Sequence, residues 1–285
     1  MSVVTIQVGP KNAYTSPESG LRMYRWQGRD LPSVTSVRRM AGVPFGLVNW
    51  QIGKVVGRAV ERHDELTAML TRERKPRERV LEANRKGEAA KWLRAAAVEE
   101  RDAAAALGTA VHDAAAEGKS PDAVDDEVRP RLVQYLDWLR VSEAEVLLAE
   151  RQVFNLTIGY AGTFDLVCRF PSGRSYLVDI KTGSGIYGEH LGQLLAYLMA
   201  EHVGEDDVVD EAATAILRSV SGIGILHLAD DRWEFVFPRE TELGPAWTAF
   251  RGLHAFATWT AAHGSAASWI ETKRVGSASV REVAA

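Results

Sequence analysis

Three short apolar stretches, residues 146–154, 160–170 and 175–180, follow one another with turn residues between them, Gly159 and then Pro171-Ser172-Gly173. Stretches of this length bounded by Gly and Pro read as strands, and the second turn makes the last two antiparallel neighbours. Apolar residues at helical spacing precede them over about 88–117, ending at Gly118, and over about 126–140, and they return at about 188–201. Helix, strands, helix and a further strand is the order of an α/β domain, a mixed β-sheet core flanked by helices.

The rest of the chain is read in the same way. Residues 3–8 (VVTIQV) and 21–27 (LRMYRWQ) are strand-like, the second turning at Gly28-Arg29-Asp30. Pro32-Ser33-Val34-Thr35-Ser36 offers an N-cap to the segment VRRMAG. From about 44 to 70 the residues Leu47, Trp50, Val55, Val56, Val60 and Leu66 recur at helical spacing, a pattern that Gly53 and Gly57 weaken. The helix expected at 126–140 presents Leu132, Tyr135, Leu136 and Leu139 on one face. Residues 201–211 hold six acids and no Lys or Arg, and 212–218 suits a helix or the approach to a strand. Residues 222–227 and 233–238 read as a hairpin around Ala229-Asp230-Asp231, and a last amphipathic helix at about 243–262 carries Trp247, Phe250, Leu253, His254 and Trp259. The expected organisation is a strand and helical region over 1–100, largely helical and a candidate DNA-binding appendage, a core over 101–265 and a frayed tail over 266–285.

With 46% hydrophobic and 25% charged residues the chain can bury a sizeable core. Thirty-four Lys and Arg against 38 Asp and Glu leave a net charge of −4, which excludes a bulk polycation but not a local basic groove. Such a groove has a candidate in segment 72–94, where nine Lys or Arg face four Glu; a solvated helical face is the competing reading. A single cysteine, Cys168, excludes an internal disulfide, a Cys-ligated zinc finger and an iron–sulfur cluster held by this chain alone. No apolar run reaches the ~20 residues of a membrane span, and the first residues lack a secretory pattern, so a soluble, cytoplasmic protein without a membrane partner is expected.

The polar residues that interrupt the strands carry the chemistry. Asp165 lies inside GYAGTFDLV, and Asp179 and Lys181 end YLVDIKTG. Side chains two apart on a strand share a face, so Asp179 and Lys181 point together while Ile180 points into a core. Antiparallel pairing brings Asp165 near Asp179, and two close carboxylates call for a cation, for which oxygen ligands favour Mg²⁺ or Mn²⁺. An Asp-x-Lys triplet alone is common on solvated strand faces, and a lone helical His such as His112 is more often structural than a ligand. Gln193 and Tyr197, four apart, share a helix face just after the Asp-x-Lys strand.

Taken as a set, Gly108 with His112, Gly162 with Asp165, Asp179-Ile180-Lys181-Thr182, and Gln193 with Tyr197 resemble the RecB-type and phage exonuclease branch of the PD-(D/E)-x-K nuclease superfamily. The segment from Pro32 to Ser36 followed by Trp50 is similar to the N-terminal part of the phage group. The resemblance implies a restriction-endonuclease-like fold. It implies a metal held by His112, Asp165, Asp179 and the backbone carbonyl of Ile180, with Lys181 as catalytic lysine. Gln193 and Tyr197 are implied to lie near the scissile strand, and Glu150 to support the site. The four cysteines that hold an iron–sulfur cluster in many cellular and CRISPR-associated members are missing.

The expected function is a Mg²⁺- or Mn²⁺-dependent DNA exonuclease acting on linear duplex or single-stranded DNA in phage or bacterial recombination and repair. A single-strand annealing or recombination partner and an oligomeric state are compatible with it. A structure-selective endonuclease and a non-catalytic nucleic-acid-binding protein on the same fold are the competing readings.

Overall fold

The computed structural model describes residues 12–17, 19–42, 45–72 and 87–263. The strand expected at 3–8, most of the basic segment 72–94 and the expected tail lie outside the described residues. Strands β4 (Glu145–Asn155), β5 (Tyr160–Arg169) and β6 (Ser175–Lys181) form where the turn residues delimit them. Gly173 (φ 81°) supplies the positive φ of the β5–β6 turn. β9 (Gly222–Leu228) lies parallel to β6 and pairs with β10 (Trp233–Val236) as the expected hairpin. Strands β7 (His202–Glu205) and β8 (Val208–Val209) complete a mixed seven-stranded sheet of order β10-β9-β6-β5-β4-β7-β8.

Residues 201–211 are therefore a short hairpin. Asp206 and Asp207 form its turn with φ of 50° and 65°, a conformation that Asp tolerates better than most residues. A second sheet of order β1-β2-β3 comprises β1 (Ala13–Thr15), β2 (Arg22–Trp26) and β3 (Arg29–Pro32). The β2–β3 turn is Gln27-Gly28, one residue earlier than expected, because both central residues adopt positive φ (46° and 74°), as tight two-residue hairpin loops do.

Apolar residues on both faces of the large sheet are covered. One face holds Phe164, Val167, Leu177, Ile223 and Ile225. Over it lie α1 (Val34–Arg39), α6 (Gly188–Leu198), α7 (Glu211–Arg218) and α8 (Glu240–Ala262), through Val37, Leu194, Leu217 and Phe250. The other face holds Leu166, Val178, Ile180 and Leu226 against α4 (Glu88–Ala116) and α5 (Arg129–Ser142), through Val111, Leu132, Tyr135 and Trp138. The Ser33 hydroxyl accepts from the Ser36 N–H and caps α1, as its position after Pro32 suggests. α4 runs unbroken through residue 100, the boundary drawn from sequence, and stops before Gly118 (φ 63°).

Three helices differ from expectation. The helix read at 44–70 is two, α2 (Phe45–Glu61) and α3 (His63–Arg72), parted at Arg62 with no Gly or Pro to announce the break. α5 starts at Arg129 because Pro130 suits a first helical turn. α8 buries Phe250 and His254, but Trp259 is exposed. Among the described residues no helix is long and apolar enough to cross a membrane.

Candidate functional site: a fork in the sheet

The β5–β6 ladder runs from the Arg169–Ser175 pair only as far as Leu166 and Val178, whereas β6 stays paired with β9 through Lys181 and β5 with β4 through Tyr160. The two central strands therefore part at Asp165 and Asp179. Parting leaves buried backbone donors without a neighbour strand, and such donors must be satisfied. Asp165 does this for Ile180, whose N–H donates to Oδ2 at 2.6 Å. Two glycines let other elements close on the fork. A Cβ at Gly162 would stand 2.5 Å from Tyr197 Cε1, and one at Gly108 would stand 3.2 Å from Thr182 Oγ1. The glycines of the sequence pattern are thus places of close approach, for the Tyr197 ring in one case and for α4 in the other.

His112 reaches the fork from α4. Its Nε2 lies 3.1 Å from the Ile180 carbonyl, and its Nδ1 lies 3.4 Å from both Glu150 Oε1 and Asp165 Oδ1. Both ring nitrogens face acceptors. Burial disfavours the imidazolium, but the Asp165 and Glu150 carboxylates outweigh it and hold His112 well above its ordinary pKa. Burial raises Glu150, with His112 opposing. Asp165 stays below the usual carboxylate value despite its burial, because His112, Lys181 and the Ile180 N–H stabilise its charge.

On the other side of β6, Lys181 Nζ lies 2.5 Å from Asp179 Oδ2. Asp179 is fully buried and pushed up to about 6, chiefly by desolvation, with Lys181 opposing and Asp165 adding to the rise. Gln193 Nε2 donates to Asp179 Oδ1 at 3.3 Å and to the Tyr197 hydroxyl at 3.0 Å. The orientation of the Gln193 amide is held from α1, where Arg38 Nη1 donates to Gln193 Oε1 at 3.0 Å.

The sequence-derived residues therefore meet at one place but divide into two groups. Among the described residues, His112, Glu150 and Asp165 alone bring three ligand atoms of His, Cys, Asp or Glu within 4.8 Å of one another. Asp179 belongs with Lys181, Gln193 and Tyr197. Strand period explains the division: Asp179 shares its face with Leu177, under α6, while His112 comes from α4 across the sheet. The Ile180 carbonyl, implied as a ligand by the resemblance, accepts a hydrogen bond from His112 Nε2. Glu150 joins the cluster through a backbone conformation that sequence does not reveal. Its φ is 47°, so the alternation of β4 is suspended, and Glu150 reaches His112 on the side where Ala149 packs. Arg38 had no signal in VRRMAG.

The donor set fits a hard divalent cation. Imidazole and two carboxylates converge at Nδ1, and the opposite ring nitrogen meets a backbone carbonyl, the arrangement that fixes a metal-binding histidine. Asp179 Oδ2, buried beside this set, is paired with the Lys181 ammonium. A cleft of about 300 Å³ opens over His112 and Glu150, walled by β2, the start of α1, α4 and β5.

No protein-family model matches the chain, and a search of curated proteins returns no match. Among solved structures, one described as "Crystal structure of SSO0001" is similar over 45% of this chain and 56% of that one, with 17% identity and a TM-score of 0.25, too distant to bear on fold or function.

Proposed function

We propose that this chain is a metal-dependent DNA exonuclease on a restriction-endonuclease-like fold, hydrolysing phosphodiester bonds in the cytoplasm during phage or bacterial DNA recombination or repair. One observation supports this above the others: the sheet forks so that His112, Glu150 and Asp165 converge on one point, with Asp179 and Lys181 on the adjoining strand. His112, Glu150 and Asp165 would hold Mg²⁺ or Mn²⁺, with Asp179 beside them. The bound ion would polarise the phosphate and acidify a water. Lys181 Nζ, held by Asp179, would donate hydrogen bonds that orient the attacking water and stabilise charge developing on the phosphate. Gln193 holds Asp179 Oδ1, which leaves Oδ2 to Lys181. Asp165, its carboxyl held below the ordinary value by His112 and Lys181, accepts from the Ile180 N–H where the strands part.

The test is degradation of end-labelled linear DNA with Mg²⁺, beside closed circular DNA. Asp179→Asn and Lys181→Met should each abolish degradation of the linear substrate with circular dichroism unchanged, and circular DNA should persist. Full activity in both variants refutes the site, and cleavage of the circle refutes the exonuclease assignment.

A further inference from the structure

Among the described residues α2 and α3 bury no side chain, although Leu47, Trp50, Ile52, Val55, Val56 and Val60 lie along α2. One side of α2 packs on α4. There Lys54 Nζ lies 2.8 Å from Glu100 Oε1, and Arg58 pairs with Glu99 and donates to the Trp92 carbonyl. The opposite side is open. At 3.6 residues per turn, Gly53, Val56, Gly57 and Val60 fall on it within about 100° of arc. Val56 is 53% exposed and Val60 72%. A Cβ at Gly53 would meet nothing within 4 Å, and one at Gly57 only Glu61 Oε1 of the same helix, at 3.9 Å. Single exposed valines are ordinary, but glycine and valine both weaken a helix, so the helix itself does not call for this face.

The order of the four residues identifies what covers them. Gly53 and Val60 are about two turns apart, and Val56 and Gly57 lie midway between them. An antiparallel copy of α2, related by a two-fold axis between residues 56 and 57, sets Val60 of each copy over Gly53 of the other. The same axis sets Val56 of each copy beside Gly57 of the other. Each valine then enters the space a glycine leaves, and the contact repeats itself, as an isologous interface must. A face shaped for a different protein has no need of that symmetry. Charge points the same way: Lys54 and Arg58 are engaged by α4 carboxylates, so α2 turns no cation outward to attract nucleic acid. We propose that two copies of this chain associate through the open face of α2, antiparallel, about this axis. The proposal is independent of the nuclease reading, since no residue of the candidate site takes part. A 17-residue helix offers a face about 25 Å long and about 10 Å wide. That is short of the ~1,200 Å² of standard interfaces, so the dimer is weak and forms over micromolar concentrations.

Sedimentation velocity of the full chain from about 1 to about 200 μM should show the 31.3 kDa species giving way to one of twice that mass. Val60→Glu brings a carboxylate to the apolar seat and should weaken association by about tenfold or more. Gly53→Leu fills the seat instead. It adds apolar surface and helix propensity, which would strengthen unspecific adhesion, yet it should weaken this dimer by a similar factor. Gly53→Cys combined with Val60→Cys should give a disulfide-linked dimer under mild oxidation. Neither single cysteine variant should, because like positions lie about 10 Å apart along the paired helices. Circular dichroism should be unchanged in every variant, since both positions are exposed. A monomer at every concentration, a trimer or larger ring, an undiminished dimer in both Val60→Glu and Gly53→Leu, or equal cross-linking of the single cysteine variants overturns the proposal.

Discussion

Gly162→Ala isolates the packing that sets the width of the fork. The new Cβ would stand 2.5 Å from Tyr197 Cε1, 3.2 Å from Cδ1 and 3.3 Å from Val34 Cγ2. Carbon atoms in good contact lie ~3.5–4.0 Å apart, so ring and strand must separate by about 1 Å. Tyr197 is 2% exposed and hydrogen-bonded to Gln193, and so has little room to yield. Overpacking of this kind destabilises by about 1–3 kcal/mol, against which Ala in a strand recovers about 0.5–1 kcal/mol relative to Gly. The net expectation is a loss of about 1–2 kcal/mol, seen in urea denaturation as a lower midpoint with an unchanged m-value. The same substitution in a Tyr197→Leu background should cost less, with a coupling of about 1 kcal/mol in a double-mutant cycle. A Gly162→Ala protein as stable as wild type would show that the ring does not wedge the strands, and the account of the G-x-x-D spacing would fail with it.

Three further outcomes are expected. Glu150→Gly should be more stable than Glu150→Ala by about 1 kcal/mol in denaturant melts, the reverse of the usual order in strands, because φ is 47° there; the opposite ranking would mean that the backbone is not left-handed. His190 is held near 3, from an ordinary 6.5, by burial and by the nearby Lys181, Arg38 and His227 charges. The unfolded chain therefore binds more protons, so stability is full above pH 6.5 and falls as pH drops from 6.5 toward 3. His190→Gln should flatten that decline, and a decline unchanged in the variant would assign it to other groups. Burial pushes the Cys168 thiol up to about 12, so a thiol reagent at pH 8 should label it only after unfolding, and rapid labelling of the native protein would contradict its burial.

The strands around the site were legible because punctuation and alternation are local. Gly159, the Pro171–Gly173 turn and the apolar runs place β4, β5 and β6 to within a residue or so, and with them Asp165, Asp179 and Lys181. Ser33 as a cap and Gly118 as a stop were readable for the same reason. What escaped depends on neighbours distant in sequence or on unusual dihedrals. The acids of 201–211 disguised a hairpin because its turn uses Asp206 and Asp207 at positive φ. Arg38 matters through Gln193, 155 residues away, and nothing in its own segment marks it. The division of the site into two groups needs the side of the sheet from which α4 approaches, and the position of Glu150 needs one inverted φ.

The second, three-stranded sheet has a consequence for the order in which the cleft is built. Tyr24 meets Thr163 across 139 residues, and the Gln27 N–H donates to Asp207 across 180. Trp26 stacks on Phe154, with ring centres 3.9 Å apart. Contacts between residues so far apart in the chain require a large loop to close first, and they form slowly for that reason. Yet the wall that carries Arg22 and Tyr24 precedes in sequence every strand it leans on. During synthesis this segment must wait, its aromatic side chains uncovered, until β4, β5 and the β7–β8 hairpin exist to receive it. The cleft therefore cannot close before β4, β5 and the β7–β8 hairpin are in place.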